Sequence, residues 1–201
     1  MAKVMPVATI LSRMRRRDYL RASGLAATTA LLAGCGGGGG NVETYDVAGG
    51  ANTQTIEVEM TSSGGQIFDP HVVWIQQGGT VTFNNTVGSH TTTSYSADND
   101  KPQRIPDDAD GWDSGTLTSG TFDHTFDVEG VYDYYCIPHE SMGMLGSVIV
   151  GNPDPDGQPA LADPQDSLPG GAATELRALN KTVEEALTSG SSGARNNSNA
   201  D

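Results

Sequence analysis

The sequence predicts an all-β fold, a Greek-key antiparallel β-sandwich, and two observations support this fold class. Residues 55–60 alternate apolar and polar side chains, which is typical of a half-buried strand. Segments rich in β-branched and aromatic residues follow at 71–75, 80–85 and 131–136, and Gly78-Gly79 marks a turn between the first two. About seven short strands at this spacing, with no segment of helical period between them, favour an antiparallel sandwich with Greek-key connections.

The 201 residues divide into four parts. Glycine-rich and Pro/Asp-rich stretches separate one domain, at 52–151, from both ends of the chain. Residues 1–34 have the pattern of a signal peptide, 35–51 form a glycine-rich tether, and 152–201 form an acidic tail rich in proline and glycine. The domain, of about 100 residues, has the commonest size for a single hydrophobic core.

The net charge of −14 is unevenly distributed. Residues 1–34 hold six Lys/Arg against Asp18, and residues 35–201 hold five Lys/Arg against 24 Asp/Glu, so the second part carries −19. Such an acidic surface argues against nucleic acid as a partner, because binding would need basic patches. Repulsion at this charge falls when the Debye length shrinks to ~3 Å at 1 M salt. The acid excess therefore favours a protein that works in high salt, with an ordinary acidic surface as the alternative.

The first 35 residues are typical of an export and anchoring signal. Arg16-Arg17-x-Tyr19-Leu20, typical of a twin-arginine signal, precedes an apolar run at 25–32 that is too short to span a membrane. Residues 32–35, Leu-Ala-Gly-Cys, are similar to a lipobox, in which cleavage leaves the cysteine lipidated. We therefore expect an exported protein, held by lipid on Cys35 to the outer face of the cell membrane, with the tether at 35–51 flexible.

Between two predicted strands, a thiol, an imidazole and a thioether lie within nine positions, at Cys136, His139 and Met144. These ligands suit copper, which accepts sulfur and imidazole, and one further histidine would complete a trigonal His₂Cys set with a long axial Met. The alternative is that Cys136 is a buried hydrophobe or pairs with Cys35 in a disulfide, and that Met144 only fills a gap in the core.

The spacing Cys-x₂-His-x₄-Met resembles that of the cupredoxins, small blue copper electron carriers. It is most similar to halocyanins and plastocyanins, which share Gly-x-Tyr-x-Tyr-x-Cys before the loop and Gly-Met-x-Gly after it, here at 130–136 and 143–146. The resemblance covers about residues 52–151. It implies one type 1 copper ion, with Cys136, His139 and Met144 among its ligands.

The resemblance also implies that His90 is the remaining ligand, because it follows the strand that contains Phe83, where the family places its first imidazole. Many cupredoxins have an asparagine next, which ties the two ligand loops together, whereas Thr91 stands here with a shorter side chain. His71 and His124 are not expected to bind the metal. His71 follows a proline at a strand start and should be exposed, and His124 should be a partly buried structural histidine.

Two methionines follow His139. Met142 lies three residues after it, as in amicyanins, and Met144 lies five after it, as in plastocyanins and halocyanins. In plastocyanins and halocyanins a glycine lies two residues after the axial methionine. Gly146 lies two residues after Met144 in this chain. We therefore expect Met144 to be the axial ligand and Met142 to belong to an apolar collar around His139.

The resemblance implies a one-electron carrier, and not an enzyme. The N-terminal signals lead us to expect it at the outer face of the membrane, and we expect it to be a monomer. Its redox partners would be membrane proteins of a respiratory chain, reached through His139. A copper enzyme of this superfamily would need further copper sites and usually further domains. A copper storage or delivery protein is the other alternative, but the Met-rich or Cys-x-x-Cys sequences that would support it do not occur in the chain.

Two regions carry weaker patterns. Residues 94–111 form an acidic, proline-containing segment that we expect on the surface. In the tail, Leu176, Leu179, Val183 and Leu187 recur at helical spacing, which predicts an amphipathic helix over 172–187 that would be marginal alone. The pattern leaves open whether this helix docks on the domain, docks on a partner, packs loosely or remains disordered.

Overall fold

A computed structural model describes residues 44–195, with side chains as far as residue 189. The signal peptide, Cys35 and residues 36–43 of the tether lie outside this range, so the expectations about them remain expectations. Nine strands occur within the described range: β1 Val47–Gly49, β2 Thr55–Thr61, β3 Ile67–Asp69, β4 Val72–Ile75, β5 Gly79–Val87, β6 Thr93–Ser94, β7 Gly120–Phe126, β8 Gly130–Tyr135 and β9 Leu145–Val150. Three short 3-10 helices, Ala97–Asn99, Ile137–Met142 and Pro159–Leu161, and one α-helix, α1 Gly170–Arg195, complete this part of the chain.

The strands form two sheets packed into a sandwich, which confirms the predicted fold class. One sheet has the order β1-β4-β9-β8-β6 and the other the order β3-β2-β5-β7. The pairing is mixed, however, and not purely antiparallel, because β1 with β4, β4 with β9 and β2 with β5 run parallel. The chain crosses between the sheets, as from β4 to β5, and such crossovers bring strands of the same direction side by side.

Burial follows the position of each strand in the layers. In β5 the buried residues Val81 and Phe83 alternate with half-buried threonines, because only one face of this sheet meets the core. Every residue of β8 and β9 is buried. These two strands lie inside the first sheet, and both of its faces are covered, one by the second sheet and one by α1. The apolar run Val148-Ile149-Val150 reflects this double burial.

Helix α1 docks on the outer face of the first sheet, which answers the question that the tail pattern left open. Its buried side chains Leu176, Leu179, Val183 and Leu187 pack in one cluster with β8 and β9 residues such as Tyr135 and Ile149. The helix is longer than the predicted 172–187. It begins directly after Pro169, whose carbonyl accepts the first helical hydrogen bond from Ala173.

Two regions that were predicted to be mobile or exposed belong to the packed structure. Strand β1 lies within the range predicted as tether, and it pairs with β4 in parallel. In the acidic segment 94–111, which we expected on the surface, Tyr95, Arg104 and Ile105 are fully buried. Composition indicated a solvated loop, but Tyr95 stacks on Tyr135 of β8 and Ile105 belongs to the core cluster. Arg104 pairs with Asp133 of β8 and donates to the Ala162 carbonyl in the tail. None of the helices in the described range is both long and apolar enough to cross a membrane.

Candidate metal centre

The predicted ligands come from two loops at one end of the sandwich. His90 follows β5 and forms an isolated antiparallel bridge with Leu117, which fixes its backbone. Cys136 directly follows β8, and His139 lies on the 3-10 helix Ile137–Met142 that comes next. Gly143 ends this helix with a left-handed φ of 85°, which glycine adopts without strain, and the chain turns into β9.

Three donor atoms converge at this end. The Nδ1 atoms of His90 and His139 lie 3.1 Å apart, and Cys136 Sγ lies 3.6 Å from the first and 3.3 Å from the second. A point equidistant from the three lies about 1.9 Å from each, close to the bond lengths of a divalent metal with imidazole nitrogen. Among the described residues, these three form a cluster of metal-ligating side chains, so the donors fit a single ion.

The environment of Cys136 and His139 favours the uncharged form of each side chain. His90 and Cys136 are fully buried. Burial raises the pKa of the Cys136 thiol, although hydrogen bonds from Thr91 and His139 act against this shift. Burial, followed by the charge of His90, lowers the pKa of His139. A bound cation reverses this balance for the thiol, because a coordinating thiol is deprotonated.

The far side of the His90 ring fixes its tautomer. His90 Nε2 lies 3.0 Å from the Val87 carbonyl and 3.2 Å from Ser62 Oγ. Ser62 Oγ donates its own proton to Gln66 Oε1, at 2.9 Å, so it accepts from the ring. The Nε2 atom therefore carries the hydrogen and Nδ1 directs its lone pair at the donor cluster. Ser62 and Gln66 could not be predicted from the sequence, since nothing in the order of residues places the segment after β2 beside His90.

Thr91 joins the two ligand loops. Its hydroxyl accepts a hydrogen bond of 2.9 Å from the Ile137 backbone N–H, and its own N–H points at Cys136 Sγ, at 3.4 Å. Thr93 Oγ1 donates to the same hydroxyl, at 3.1 Å. Thr91 thus connects the two ligand loops, although its side chain is shorter than the asparagine that many cupredoxins have at this position.

The two methionines differ in burial. Met144 is fully buried in the core cluster that contains Cys136, and its carbonyl accepts from the Cys136 N–H at 3.0 Å. Met142 is 60% exposed. Met144 thus lies in the core beside Cys136 and Met142 lies at the surface, and the axial role of Met144 remains a prediction.

Three exposed apolar side chains lie in or next to the loops that carry His90 and the half-buried His139. Among the described residues, the large apolar side chains that are exposed are Val87, Ile137 and Met142, and all three lie in or next to the ligand loops. We call these three side chains the apolar rim.

The remaining histidines lie away from the centre. His124 is half-buried and stacks on Trp112 with ring centroids 4.5 Å apart, in the structural role expected for it. His71 is also half-buried, and not exposed as expected, because Tyr45 from the segment before β1 stacks on it at 4.1 Å. Cys136 is a free cysteine in the described part of the chain.

The fold and the site together define a class: a small β-sandwich protein in which one thiol and two imidazoles converge on a metal position, a donor set that suits copper. Residues 54–151 match the family of copper binding proteins called the plastocyanin/azurin family, and the chain belongs to that family.

Several known proteins are similar to the chain. It is 30% identical over 151 residues to a chloroplastic plastocyanin of Tetradesmus obliquus, a match that covers 75% of this chain and 99% of that protein. A halocyanin of Natronomonas pharaonis is 33% identical over 99 residues, covering 48% of this chain and 56% of the halocyanin. Among solved structures, the pseudoazurin from Methylobacterium extorquens AM1 superposes with a TM-score of 0.50 at 26% identity, over 65% of this chain and 98% of that one.

Proposed function

We propose that the protein is a one-electron carrier that holds a single type 1 copper ion, anchored at the outer face of the cell membrane. The observation that supports the electron-transfer role best is the convergence of Cys136 Sγ with the Nδ1 atoms of His90 and His139. Copper held by thiolate and imidazole is stable in both the Cu(I) and the Cu(II) state, so it can accept and release one electron.

The protein residues hold the donors in place and exclude water. Thr91 and Ser62 fix the thiol and the first imidazole through hydrogen bonds from fully or partly buried positions. Rigid donors change little between oxidation states, which keeps the reorganisation on electron transfer small. Met144 completes the ligand set in this proposal, so that no position is left open for a substrate, as an enzyme would need.

The apolar rim is the surface at which a partner would meet the centre. Among the predicted ligands His139 is the most exposed to solvent, so electrons would pass through its ring. The rim favours brief contact with another protein that also has an apolar surface around its redox centre. We infer that the partners are proteins of a membrane respiratory chain and that the carrier works as a monomer.

Absorption and voltammetry of the purified, copper-loaded protein test this function. We expect an intense thiolate-to-copper band in the visible region and a reversible one-electron wave with unchanged metal content. A copper storage or delivery protein would instead lose or exchange its metal during cycling, and absence of the band would contradict the type 1 site.

The methionine variants test the ligand set. Met144→Leu should keep copper and colour and raise the reduction potential, because a weak donor to Cu(II) is lost. Met142→Leu is the matched control and should leave spectrum and potential nearly unchanged. The reverse result would place Met142 in the centre.

The proposed location rests on the sequence of the first 35 residues. A lipid on Cys35 would anchor the protein, because each buried CH₂ contributes ~0.8 kcal/mol and two acyl chains give stable attachment. Cys35→Ser should release the protein from the membrane fraction or block its processing. A variant that is cleaved normally and stays in the membrane fraction would show that another anchor exists.

A further inference from the structure

Glu140 is a carboxylate in an unusual place. It directly follows His139 on the 3-10 helix Ile137–Met142, and it is only 9% exposed. Acidic side chains are almost never this buried unless they are paired. Glu140 is not one of the predicted ligands, and the metal-ligating cluster of His90, Cys136 and His139 does not include it.

The carboxylate is held by two side chains from one distant segment. Lys101 Nζ lies 2.6 Å from Glu140 Oε2, and the Tyr95 hydroxyl donates to Oε1 at 3.1 Å. Lys101 in turn lies over the ring of Tyr135, 4.8 Å from its centroid, and Tyr135 stacks on Tyr95 at 4.5 Å. We call Tyr95, Lys101, Tyr135 and Glu140 the Glu140 cluster.

The pair is only partly open to water. The side chains of Lys101 and Glu140 are 25% and 11% exposed. An interaction of this kind is screened by salt much less than one between fully exposed charges. Burial and the neighbouring Glu140 charge also raise the pKa of Tyr95, so its hydroxyl stays protonated and keeps donating. The cluster therefore presents two fixed, opposite charges next to a ligand of the metal.

We propose that Glu140 and Lys101 form a charge pair that sets the reduction potential of the copper centre, with Tyr95 as the residue that positions the carboxylate. This inference rests on the proposed redox function. The oxidised centre carries one more positive charge than the reduced centre. A negative charge beside it therefore favours the oxidised state and lowers the potential, and a positive charge raises it.

The two partners must then act in opposite directions. Glu140→Gln keeps the shape of the side chain and an acceptor for Tyr95, but it leaves the ammonium of Lys101 uncompensated, so the potential should rise. Lys101→Met keeps an unbranched side chain over Tyr135, but it leaves the carboxylate uncompensated, so the potential should fall. For a unit charge at a partly buried position, the ratio of the Cu(II) to the Cu(I) dissociation constant should change on the order of tenfold in each case.

A purely structural role for the cluster predicts something else. If the cluster only held the ligand loop in place, both substitutions would loosen the same loop, and the potential would move in the same direction in both or in neither. The sign of the two shifts therefore separates the electrostatic proposal from the structural alternative.

The experiment is voltammetry of the copper-loaded wild type, Glu140→Gln, Lys101→Met and the double variant, at low salt and at about 1 M salt, where the Debye length is ~3 Å. Competition with chelators gives the dissociation constants of both oxidation states independently. Asp123→Asn and Lys181→Met, at exposed positions outside the cluster, are matched controls for the change in net charge. Lys101→Arg restores the cation and should return the potential towards the wild-type value.

The proposal is supported if the single variants shift the potential in opposite directions, the double variant lies between them, and the shifts persist in high salt. Equal signs, no shift, or shifts no larger than those of the controls would overturn it. Should Glu140→Gln fail to fold, the Lys101→Met and Lys101→Arg pair still decides the sign. A wild type without a reversible wave would contradict the proposed function itself, which is a different outcome.

Amide hydrogen exchange of the metal-free proteins gives a readout that does not involve copper. Exchange in residues 137–142 should be equal in the wild type and Glu140→Gln, since the variant keeps the acceptor for Tyr95. Tyr95→Phe removes that hydrogen bond and should speed exchange there. Faster exchange in Glu140→Gln, equal to that of Tyr95→Phe, would show that the charge holds the loop and would overturn the division of roles within the cluster.

Discussion

Replacing Arg104 by methionine should destabilise the protein more than any surface substitution, because Arg104 is a fully buried cation with a partner on every donor group. Its Nε donates to Asp133 Oδ2 at 2.9 Å. Its Nη1 donates to the Ala162 carbonyl at 3.1 Å, and Nη2 contacts the Ala160 carbonyl and Asn180 Oδ1. One side chain thus connects the segment 94–111 to β8, to the segment before α1, and to α1.

The magnitude follows from what Arg104→Met leaves behind. Asp133 is only 1% exposed, and it would keep the hydrogen bond from Ser147 Oγ but lose its counter-ion. Breaking one side of a buried ion pair costs about 3–5 kcal/mol. For a domain of about 150 residues each kcal/mol corresponds to about 2–4 °C, so the melting temperature should fall by roughly 6–20 °C.

Thermal unfolding of the metal-free protein is the suitable assay, because metal binding would mask the effect. Arg177→Met is the matched control: Arg177 is exposed on α1, and its Nη1 donates only to a carbonyl one turn earlier, at 3.0 Å. Its effect should stay within about 0.5 kcal/mol. The double variant Arg104→Met/Asp133→Leu should cost less than the sum of the single variants, since no charge is then left unpaired.

The pH dependence of Arg104→Met gives a second check, with a definite sign. Burial raises the pKa of Asp133, and the charge of Arg104 is the main influence that opposes this shift. The folded-state pKa of Asp133 thus already lies above the unfolded value in the wild type, and loss of Arg104 should raise it further. The variant's stability is then largest below the unfolded pKa and is lost as the pH rises through the folded pKa. The deficit relative to wild type should therefore shrink as the pH falls. A deficit no larger than that of Arg177→Met, or one independent of pH, would refute this reasoning.

Three further predictions concern the ligand loops and the stability of the sandwich. Thr91→Val leaves the Ile137 N–H without its acceptor and should cost about 1–3 kcal/mol and change the reduction potential, whereas Thr91→Ser should restore both. Gly171→Val should change the visible spectrum of the copper protein, because a Cβ at residue 171 would clash with the Ser141 carbonyl on the ligand loop. An unchanged spectrum would show that α1 moves and that the ligand loop does not. Burial lowers the pKa of His124 in the folded protein. The neutral histidine therefore contributes stability above its unfolded pKa near 6.5, and this stability is lost as the pH falls below that value. The free energy of unfolding of His124→Phe, measured across this pH range, should fall less than that of the wild type.

The ligand loop could be predicted from the sequence because its determinants are local. Cys136, His139 and Met144 lie within nine residues, and short strands on either side fix where the loop begins and ends. The alternation of apolar and polar side chains in β2 and β5 likewise indicated that one face of each strand is buried, since successive side chains of a strand point to opposite faces. His90 needed the family resemblance, because no local rule joins a residue to a loop 46 positions later.

Long-range contacts explain what the sequence analysis missed. Parallel pairing in the two sheets depends on which strands become neighbours after the chain crosses between the sheets. Local sequence patterns do not show which strands become neighbours. The short β1 has no alternating pattern of its own and becomes a strand because β4 offers a free edge. The apolar spacing in the tail indicated a helix. The stability of this helix, α1, derives from its packing against apolar residues on β8 and β9, which are distant in the sequence.

The positions of the few Lys and Arg side chains are informative in a way that the net charge alone is not. Residues 35–201 contain five Lys/Arg against 24 Asp/Glu, and two of the five, Lys101 and Arg104, lie within four positions of each other. In so acidic a chain, most carboxylates cannot have a cationic partner and must rely on water or counter-ions, and two that do have one, Glu140 and Asp133, are buried. Lys101 pairs with Glu140 and Arg104 with Asp133, the two carboxylates in and just before the ligand loop. The segment 94–111, whose composition indicates a solvated loop, thus supplies the cations that pair with both of these carboxylates, so its sequence should be less free to vary than its acidic character suggests.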